Sequence, residues 1–355
     1  MTTQKKAPNR QIITILMVCG IFEQLTWLPE LSLLTSTGDI VSTVLLAAVL
    51  QATLLLPLYF FLRKQHRLQG IVATVTAVLY GIYFLAAAAY ILFCGYLFLS
   101  RTVMPQTPGM ILLVLLLVSG CYIAARDTAA VVKTGAFFAA GSIIVIVLFF
   151  LLSLPQMDWS EVYLVPQEGT TVWRAAIHGA LRSLSAPVLL VLLDEQPRES
   201  GRILFGSWLG IYLLFSLLGM VTVSVLGVVS EMVLFPVFMQ ITTVQIYDIL
   251  QRMDVIWIGG WGMALLAVLG VFIHCGGQCL KHIAKKSWIA LYLILAGGAM
   301  AIYWYAGKEQ VQNALRQGWM VPLIQLFFCF LLPCLLLLLR KIQSKNTNTV
   351  QKGKK

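Results

Sequence analysis

Long apolar stretches, separated by short polar segments, constrain the fold of this sequence more than any other feature. A helix needs about 20 apolar residues to cross the hydrocarbon core of a bilayer, and the sequence offers about ten such stretches. Their predicted bounds are residues 11–34, 39–62, 71–99, 108–125, 131–154, 170–193, 204–229, 255–280, 287–306 and 319–339. The apolar residues run continuously instead of alternating with polar ones, which predicts helices and not the strands of a β-barrel.

The composition excludes several classes of protein. Of the 355 residues, 59% are hydrophobic and 11% are charged, whereas about a quarter of a soluble domain is charged. A soluble enzyme or a disordered protein is therefore excluded, and we expect an all-α integral membrane protein. The seven cysteines lie in or beside apolar stretches, which argues against a disulfide scaffold. The sequence contains no phosphate loop, dinucleotide fingerprint or nucleophile elbow, so we expect no catalytic residues and no cofactor.

The distribution of basic residues predicts the orientation of the chain. The net charge is +11, from 25 Lys and Arg against 14 Asp and Glu. With ten spans and a cytoplasmic N-terminus, 19 of the 25 basic residues fall on the cytoplasmic side and 4 on the outer side. This is the bias expected of a membrane protein with both termini cytoplasmic. It explains the net positive charge without any binding of nucleic acid. We expect residues 1–340 to form one transmembrane domain and residues 341–355 to form a basic cytoplasmic tail. The first apolar stretch is expected to be the first span and not a signal peptide that is cleaved.

The first span carries polar groups at its centre. Glu23 and Gln24 follow Gly20 and precede Pro29. A charged residue at the centre of a membrane helix costs roughly 2.5–3.5 kcal/mol on insertion scales, and proline removes a backbone donor from a helix. These features predict an unwound or kinked helix whose polar groups face the interior of the bundle. Glu23 is a candidate ligand, ion or proton site; the alternatives are a structural pair across helices or a place beside a water-filled vestibule.

The sixth span carries a basic stripe. Arg174, His178 and Arg182 are spaced by four residues and share one helical face. Gly179 and Pro187 favour a break in the middle of this span. Such a stripe is expected to line a polar cavity, to pair with the carboxylate of the first span, or to hold an anionic group. For Arg174 the alternative is a position at the outer interface, where its long side chain reaches the headgroups.

The two unusual spans occupy matching positions. The first opens a block of five spans (about 11–154) and the sixth opens a second block (about 170–339). Broken helices at corresponding places in two halves indicate a five-plus-five inverted-repeat transporter fold with its site near the midplane. The candidate ligand-binding residues are Gly20, Phe22, Glu23, Gln24, Thr26, Tyr80, His178, Arg182, Ser183 and Ser185. Tyr83 is a further candidate for the wall of this site.

Two further segments allow more than one interpretation. Residues 230–254 are too apolar for a free loop and too interrupted for a span; we expect an amphipathic helix on the outer membrane face, with a re-entrant or shorter eighth span as the alternative. Cys275, Cys279 and His282 share a face at the inner end of the eighth span, beside His274. They lack the closed ligand spacing of a zinc site, so we predict no metal centre there.

Several short motifs, in order along nearly the whole chain, resemble one family. They are Asn9-Arg10-Gln11 with Pro29, Ala125-Arg126-Asp127, Leu164-Val165-Pro166, Phe235-Pro236-Val237-Phe238, and Gln251-Arg252-Met253-Asp254 followed by Trp257 or Trp261. In this order they are similar to the spore germination B-subunit family, the permease-like subunits of nutrient germinant receptors in endospore-forming bacteria. The chain departs from that family where a glycine-rich turn is expected in the first span and where a Phe-Gly break is expected in the sixth.

The resemblance implies a fold, a role and a set of partners. The fold is that of the amino acid–polyamine–organocation transporters. The role is to sense a small molecule, for which an amino acid is a candidate, and to trigger germination from the spore inner membrane. The implied protein partners are A-type and C-type receptor subunits. The implied ligand is a small-molecule germinant, with a cation as a further candidate, and the protein lies in the lipid bilayer. The alternative is an ion-coupled secondary transporter of amino acids or amines that acts alone.

Overall fold

A computed structural model describes residues 8–34, 37–63, 70–162, 169–182, 185–192, 200–233, 235–243, 254–281, 288–306 and 319–339. Every regular element in these ranges is helical. The main helices are α1 (Asn9–Leu34), α2 (Ile40–Leu54), α3 (Leu56–Arg63), α4 (Gly70–Phe98), α5 (Gly109–Ala124), α6 (Thr128–Ser153), α7 (Gly169–Ala180), α8 (Val188–Leu192), α9 (Ser200–Leu226), α10 (Val229–Met232), α11 (Pro236–Thr243), α12 (Asp254–Lys281), α13 (Trp288–Ala306) and α14 (Met320–Leu339). An all-helical architecture is what a bilayer imposes, because a helix satisfies its backbone hydrogen bonds internally.

Six helical segments in the described ranges are long and apolar enough to cross a membrane. They are Ile40–Arg63, Ile71–Val103, Thr128–Gln156, Gly201–Leu226, Asp254–Lys281 and Met320–Leu339, and Gly109–Ala124 is a shorter apolar helix. The protein is therefore an integral membrane protein. On α6, Phe137, Ile144 and Leu151 are exposed at seven-residue intervals, as expected of a face in contact with lipid tails. The ten predicted spans all contain helix, but their number and the five-plus-five repeat remain predictions.

Helix α12 is the central helix of the bundle and packs on α1, α4, α5 and α6. Its residues from Ala264 to Gly277 are buried almost without interruption. Small residues let the neighbouring helices approach closely. At Gly260 an added Cβ would lie 2.8 Å from Cβ of Val145 on α6, and the backbone carbonyl of Gly260 accepts a hydrogen bond from the Ser142 hydroxyl at 2.7 Å. Helix α12 is thus fixed to α6 by a close backbone approach and by a polar contact.

The unwinding predicted as one possibility for the first span is wrong, and a kink there stays a prediction. Helix α1 runs without interruption from Asn9 to Leu34, through Pro29. Because proline has no backbone N–H, it removes one hydrogen bond of the helix and leaves one backbone carbonyl in the preceding turn without its usual donor. In a membrane protein, groups on neighbouring helices can donate to that carbonyl instead. The polar pair Glu23 and Gln24 therefore lies on a continuous helix, and both side chains are buried.

The segment after the seventh span packs on the bundle. Within residues 230–254, the described helix α11 has eight residues, fewer than a helix needs to cross a membrane. Its residues Pro236, Val237, Gln240 and Ile241 are buried, and it contacts α9 and α12. The buried side of α11 therefore faces protein, whereas the sequence predicted a helix lying on the membrane face. Residues 244–253 lie outside the described ranges.

Candidate ligand-binding site

The sixth span is broken, as its sequence predicts. Helix α7 ends at Ala180 and α8 begins at Val188, with non-helical backbone at the described residues between them. Non-helical backbone inside a membrane must find other hydrogen-bond partners. Gln51 on α2 provides one, because its Nε2 donates to the carbonyl oxygen of Arg182 at 2.5 Å. The backbone N–H of Val188 donates to the carbonyl of Ser185 at 3.1 Å, which starts α8.

A pocket with about 370 Å³ of empty space lies between this break and the helices α1, α2 and α9. Helix α1 contributes Leu16, Gly20, Glu23 and Gln24; the α2–α3 segment contributes Gln51 and Leu55; the break and α8 contribute Arg182, Ser185, Ala186 and Leu189; α9 contributes Leu204, Ser207, Trp208 and Ile211. Polar groups from four elements therefore converge on one cavity inside the bundle.

Two buried side chains of opposite charge line this pocket. Glu23 is 4% exposed and Arg182 is 1% exposed. In a medium of low dielectric constant an isolated charge is costly, whereas opposite charges lower each other's cost. Tyr212 on α9, Tyr83 on α4 and Cys19 on α1 also lie near the Glu23 carboxylate. The pocket thus offers an anionic and a cationic group to a small polar molecule.

The structure brings five of the predicted site residues together. Gly20, Glu23, Gln24, Arg182 and Ser185 all line the pocket. An added Cβ at Gly20 would overlap the Ile211 side chain on α9. Glycine at this position therefore lets α1 and α9 approach closely.

Other predicted residues lie elsewhere. The ring of Phe22 packs 5.6 Å from that of Trp261, beside a separate apolar cavity between α1, α6 and α12. The Tyr80 hydroxyl donates to the carbonyl oxygen of Phe328 at 3.0 Å, which ties α4 to α14. These side chains turn away from the pocket because their positions on α1 and α4 face α12 and α14.

His178 and Tyr83 are buried outside the lining of the pocket. The His178 ring packs edge-on against Trp319 at 5.1 Å between centroids, and the Tyr83 ring lies 4.6 Å from that of Phe328. Of the basic stripe on the sixth span, only Arg182 therefore reaches the pocket. The side chain of Thr26 and residue Ser183 lie outside what the structure describes.

The sequence reasoning missed three polar residues of the pocket, namely Gln51, Ser207 and Trp208. Gln51 carried a usable signal, because it is an uncharged amide in the middle of an apolar span and is 5% exposed. Ser207 and Trp208 carried none, since small hydroxyls and tryptophan are common in membrane helices.

The cluster at the C-terminal end of α12 has a structural explanation. The His274 Nδ1 lies 3.0 Å from the carbonyl oxygen of Ala124, and its Nε2 lies 3.1 Å from Thr128 Oγ1 and 3.1 Å from Gln278 Nε2. Both ring nitrogens are therefore engaged in joining α12 to the α5–α6 turn. His282 lies outside the described ranges, and within them no group of three or more His, Cys, Asp or Glu could hold a metal ion.

A second, larger cavity has an aromatic lining and about 670 Å³ of empty space. It lies between α1, α4, α11 and α12, and its aromatic residues are Tyr90, Phe93, Phe98, Phe235, Phe238, Trp257 and Trp261. Helix α11 covers part of it and is held by Gln240, whose Oε1 accepts from Thr222 at 2.7 Å and whose Nε2 donates to Ser153 at 2.9 Å.

Comparison with known proteins gives a family and a fold. Residues 40–311 match the model of the spore permease family, described as spore germination protein. The structure is similar to the crystal structure of MhsT in complex with L-phenylalanine, with a TM-score of 0.55, 13% sequence identity, and coverage of 91% of this chain and 89% of that chain. MhsT is a transporter of the LeuT fold, and the similarity extends to the fold alone. No curated protein matches the sequence significantly.

Proposed function

The chain belongs to the family of spore germination proteins, and from that premise we propose that it is the transporter-like membrane subunit of a nutrient germinant receptor. In this proposal it senses a small molecule in the pocket between α1 and the α7–α8 break and thereby triggers germination. The proposal places it in the spore inner membrane with A-type and C-type subunits as partners, an assignment supported by the family.

The observation that carries this proposal is the convergence of Glu23 and Arg182 on one buried pocket. A free amino acid carries an ammonium and a carboxylate, and the pocket offers a group of opposite charge to each. In the proposed complex the ligand carboxylate lies near Arg182 and the Ser185 hydroxyl, and its ammonium lies near Glu23. The bound L-phenylalanine of MhsT shows that a related fold accommodates an amino acid.

The proposal is tested by equilibrium binding to the purified chain, using a panel of amino acids as probes. Glu23→Gln and Ser185→Ala are expected to weaken binding, because the first removes the negative charge of the carboxylate and the second removes a hydroxyl; for the charged group the loss is about 1.5–3 kcal/mol, or roughly 10- to 150-fold in Kd. Asp39→Asn is the matched control for Glu23, since Asp39 is a buried carboxylate of the described chain that does not line the pocket.

Binding and germination must respond together. In spores, the same two variants are expected to shift the dose response to the nutrient that binds, while the protein level in the membrane stays unchanged. A dose response equal to the wild type in both variants would remove Glu23 and Ser185 from the sensing site.

Uptake by proteoliposomes separates a receptor from a transporter. The proposed subunit binds its ligand and accumulates little of it under an imposed ion gradient. Efficient gradient-driven uptake by the purified chain would instead assign it as a secondary transporter that acts alone, the alternative that its transporter fold favours.

A further inference from the structure

The aromatic cavity between α1, α4, α11 and α12 is separate from the polar pocket. The two cavities share no lining residue, and the aromatic cavity is the larger, with about 670 Å³ of empty space against about 370 Å³. Leu25 lines the aromatic cavity, whereas the preceding residue, Gln24, lines the polar pocket. The two cavities therefore lie on different faces of α1. A molecule in the aromatic cavity would meet a different set of side chains from the proposed germinant.

The lining of the aromatic cavity selects against charge. Seven of its twelve described lining residues are aromatic, and none of the twelve carries a charged group or a side-chain amide. A charged molecule that entered such a place would lose its hydration without gaining a partner of opposite charge. A zwitterionic amino acid is therefore a poor ligand for this cavity, and an uncharged molecule is a suitable one.

The aromatic side chains of the wall hold one another in place. The Phe98 ring lies 4.1 Å from the ring of Trp261, 5.2 Å from that of Phe235 and 5.5 Å from that of Phe238, between centroids. Trp261 also packs against Phe22 of α1 at 5.6 Å. These contacts join α1, α4, α11 and α12 through a single cluster of rings. The wall of the cavity is therefore formed before any ligand arrives.

Helix α11 is also fixed by a buried polar contact, which prevents the cavity from closing. Gln240 is 2% exposed; its Oε1 accepts from the Thr222 hydroxyl and its Nε2 donates to the Ser153 hydroxyl. Protein interiors are close-packed, and empty apolar space forfeits contacts. Here α11 could fill the space only by moving and breaking both hydrogen bonds. A bound apolar molecule would supply the missing contacts while the helix stays in place.

The geometry of the rings points to the class of ligand. Aromatic rings attract one another when they are offset or edge-on at about 4.5–7 Å between centroids, beyond what burial alone provides. A saturated ring or an acyl chain of the same size gains burial alone. We propose that the aromatic cavity binds a small uncharged aromatic molecule, whose ring packs against Phe235 and Phe238 of α11 and Trp261 of α12.

A pair of probes that differ in ring saturation tests this proposal. Fluorobenzene and fluorocyclohexane are titrated into the purified chain in detergent, with ¹⁹F NMR as the readout and protein-free micelles as the blank. Fluorobenzene is expected to bind saturably, with a Kd about 2- to 12-fold below that of fluorocyclohexane, the gain expected of one ring pair. A Kd for fluorocyclohexane as low or lower would overturn the proposal and indicate a lipid acyl chain as the occupant. Binding of fluorobenzene no greater than to the blank would also overturn it.

Removing single rings from the wall locates the bound probe. Phe235→Leu and Phe238→Leu are each expected to raise the Kd of fluorobenzene by about 2- to 12-fold, because each removes one ring pair. Phe137→Leu is the matched control, since Phe137 is exposed on α6 and does not line the cavity. A Kd equal to the wild type in both α11 variants would overturn the proposal.

Filling the cavity is an independent test that keeps its ring cluster. Cys94→Phe places a large side chain in the lining, whereas Cys121→Phe makes the same change on α5 away from the cavity. Fluorobenzene binding is expected to be lost in the first variant and retained in the second, with folding of both confirmed by their melting temperatures. Wild-type binding by a folded Cys94→Phe variant would overturn the proposal; if that variant does not fold, the α11 variants decide. None of these measurements uses a germinant, so the outcome is independent of the proposed sensing function.

Discussion

The amide of Gln51 shows how one residue makes a broken membrane helix tolerable. A carbonyl freed by a helix break inside a bilayer costs several kcal/mol if it stays unpaired. The Gln51 side chain reaches across from α2 and donates to the carbonyl of Arg182, so the break is stabilised by a neighbouring helix. The same residue lines the pocket, and it therefore contributes both to the backbone of the break and to the shape of the site.

Replacing Gln51 by leucine is expected to destabilise the protein by about 1–3 kcal/mol, because it leaves a buried carbonyl unsatisfied while nearly conserving volume. Thermal unfolding of the purified protein measures this loss. Thr53→Val is the matched control, since Thr53 is exposed on the same helix and its hydroxyl donates only to the Leu50 carbonyl. Equal melting temperatures for the two variants would show that the Gln51 contact does not stabilise the break.

The contact between α6 and α12 depends on which glycine of α12 faces α6. Gly260 faces α6 so closely that a Cβ there would meet Cβ of Val145, whereas a Cβ at Gly259 would meet no atom within 4 Å. Adjacent residues of one helix thus have opposite requirements. A side chain at Gly260 has no room, because Cβ of Val145 is attached directly to the backbone and cannot move aside as the end of a long side chain can.

Gly260→Ala is therefore expected to destabilise the bundle by about 1–3 kcal/mol, as overpacking of a close contact does. Gly259→Ala is expected to be neutral or to stabilise by about 0.5–1 kcal/mol, because alanine favours a helix more than glycine does. The two melting temperatures, measured in the same detergent, decide the point. A Gly260→Ala variant as stable as Gly259→Ala would mean that α6 and α12 separate without cost.

The whole molecule is an integral membrane protein whose charge distribution predicts both ends on the cytoplasmic side. The outer segments are expected to carry few basic residues. One of them contains Asp158, whose carboxylate accepts hydrogen bonds from the backbone N–H and the hydroxyl of Ser160. These bonds hold the pKa of Asp158 below its usual value, so this exposed acidic group stays ionised in mildly acidic surroundings.

An accessibility experiment tests the predicted orientation. A tag placed after residue 355 is expected to be reached by an impermeant protease only after the membrane is opened on its cytoplasmic side. A second tag inserted beside Asp158 is expected to be cleaved from the outer side in intact cells. Cleavage of both tags from the same side would contradict the predicted arrangement, in which five spans, an odd number, separate Asp158 from the C-terminus.

Much of the candidate site was predictable from the sequence because buried charge is rare in a membrane span. Glu23 and Arg182 were conspicuous for that reason, and Gly179 and Pro187 predicted the break that releases Arg182 from the helix. His178 and Tyr80, predicted for the same site, lie outside the lining of this pocket. The spacing of residues along a helix determines which side chains lie on the same face. It does not determine which neighbouring helix that face packs against.

The sequence by itself determined the membrane setting, the helical architecture and the place of the break in the sixth span. These follow from local rules: a bilayer requires helices of a given length, and proline and glycine weaken a helix wherever they occur. Only the tertiary structure decided that α1 remains continuous through Pro29, that Gln51 meets the broken backbone, and that α9 supplies Ser207 and Trp208 to the pocket. The physical reason is that these features depend on which helices pack together, and contacts between distant segments leave no periodic pattern in the sequence of either one.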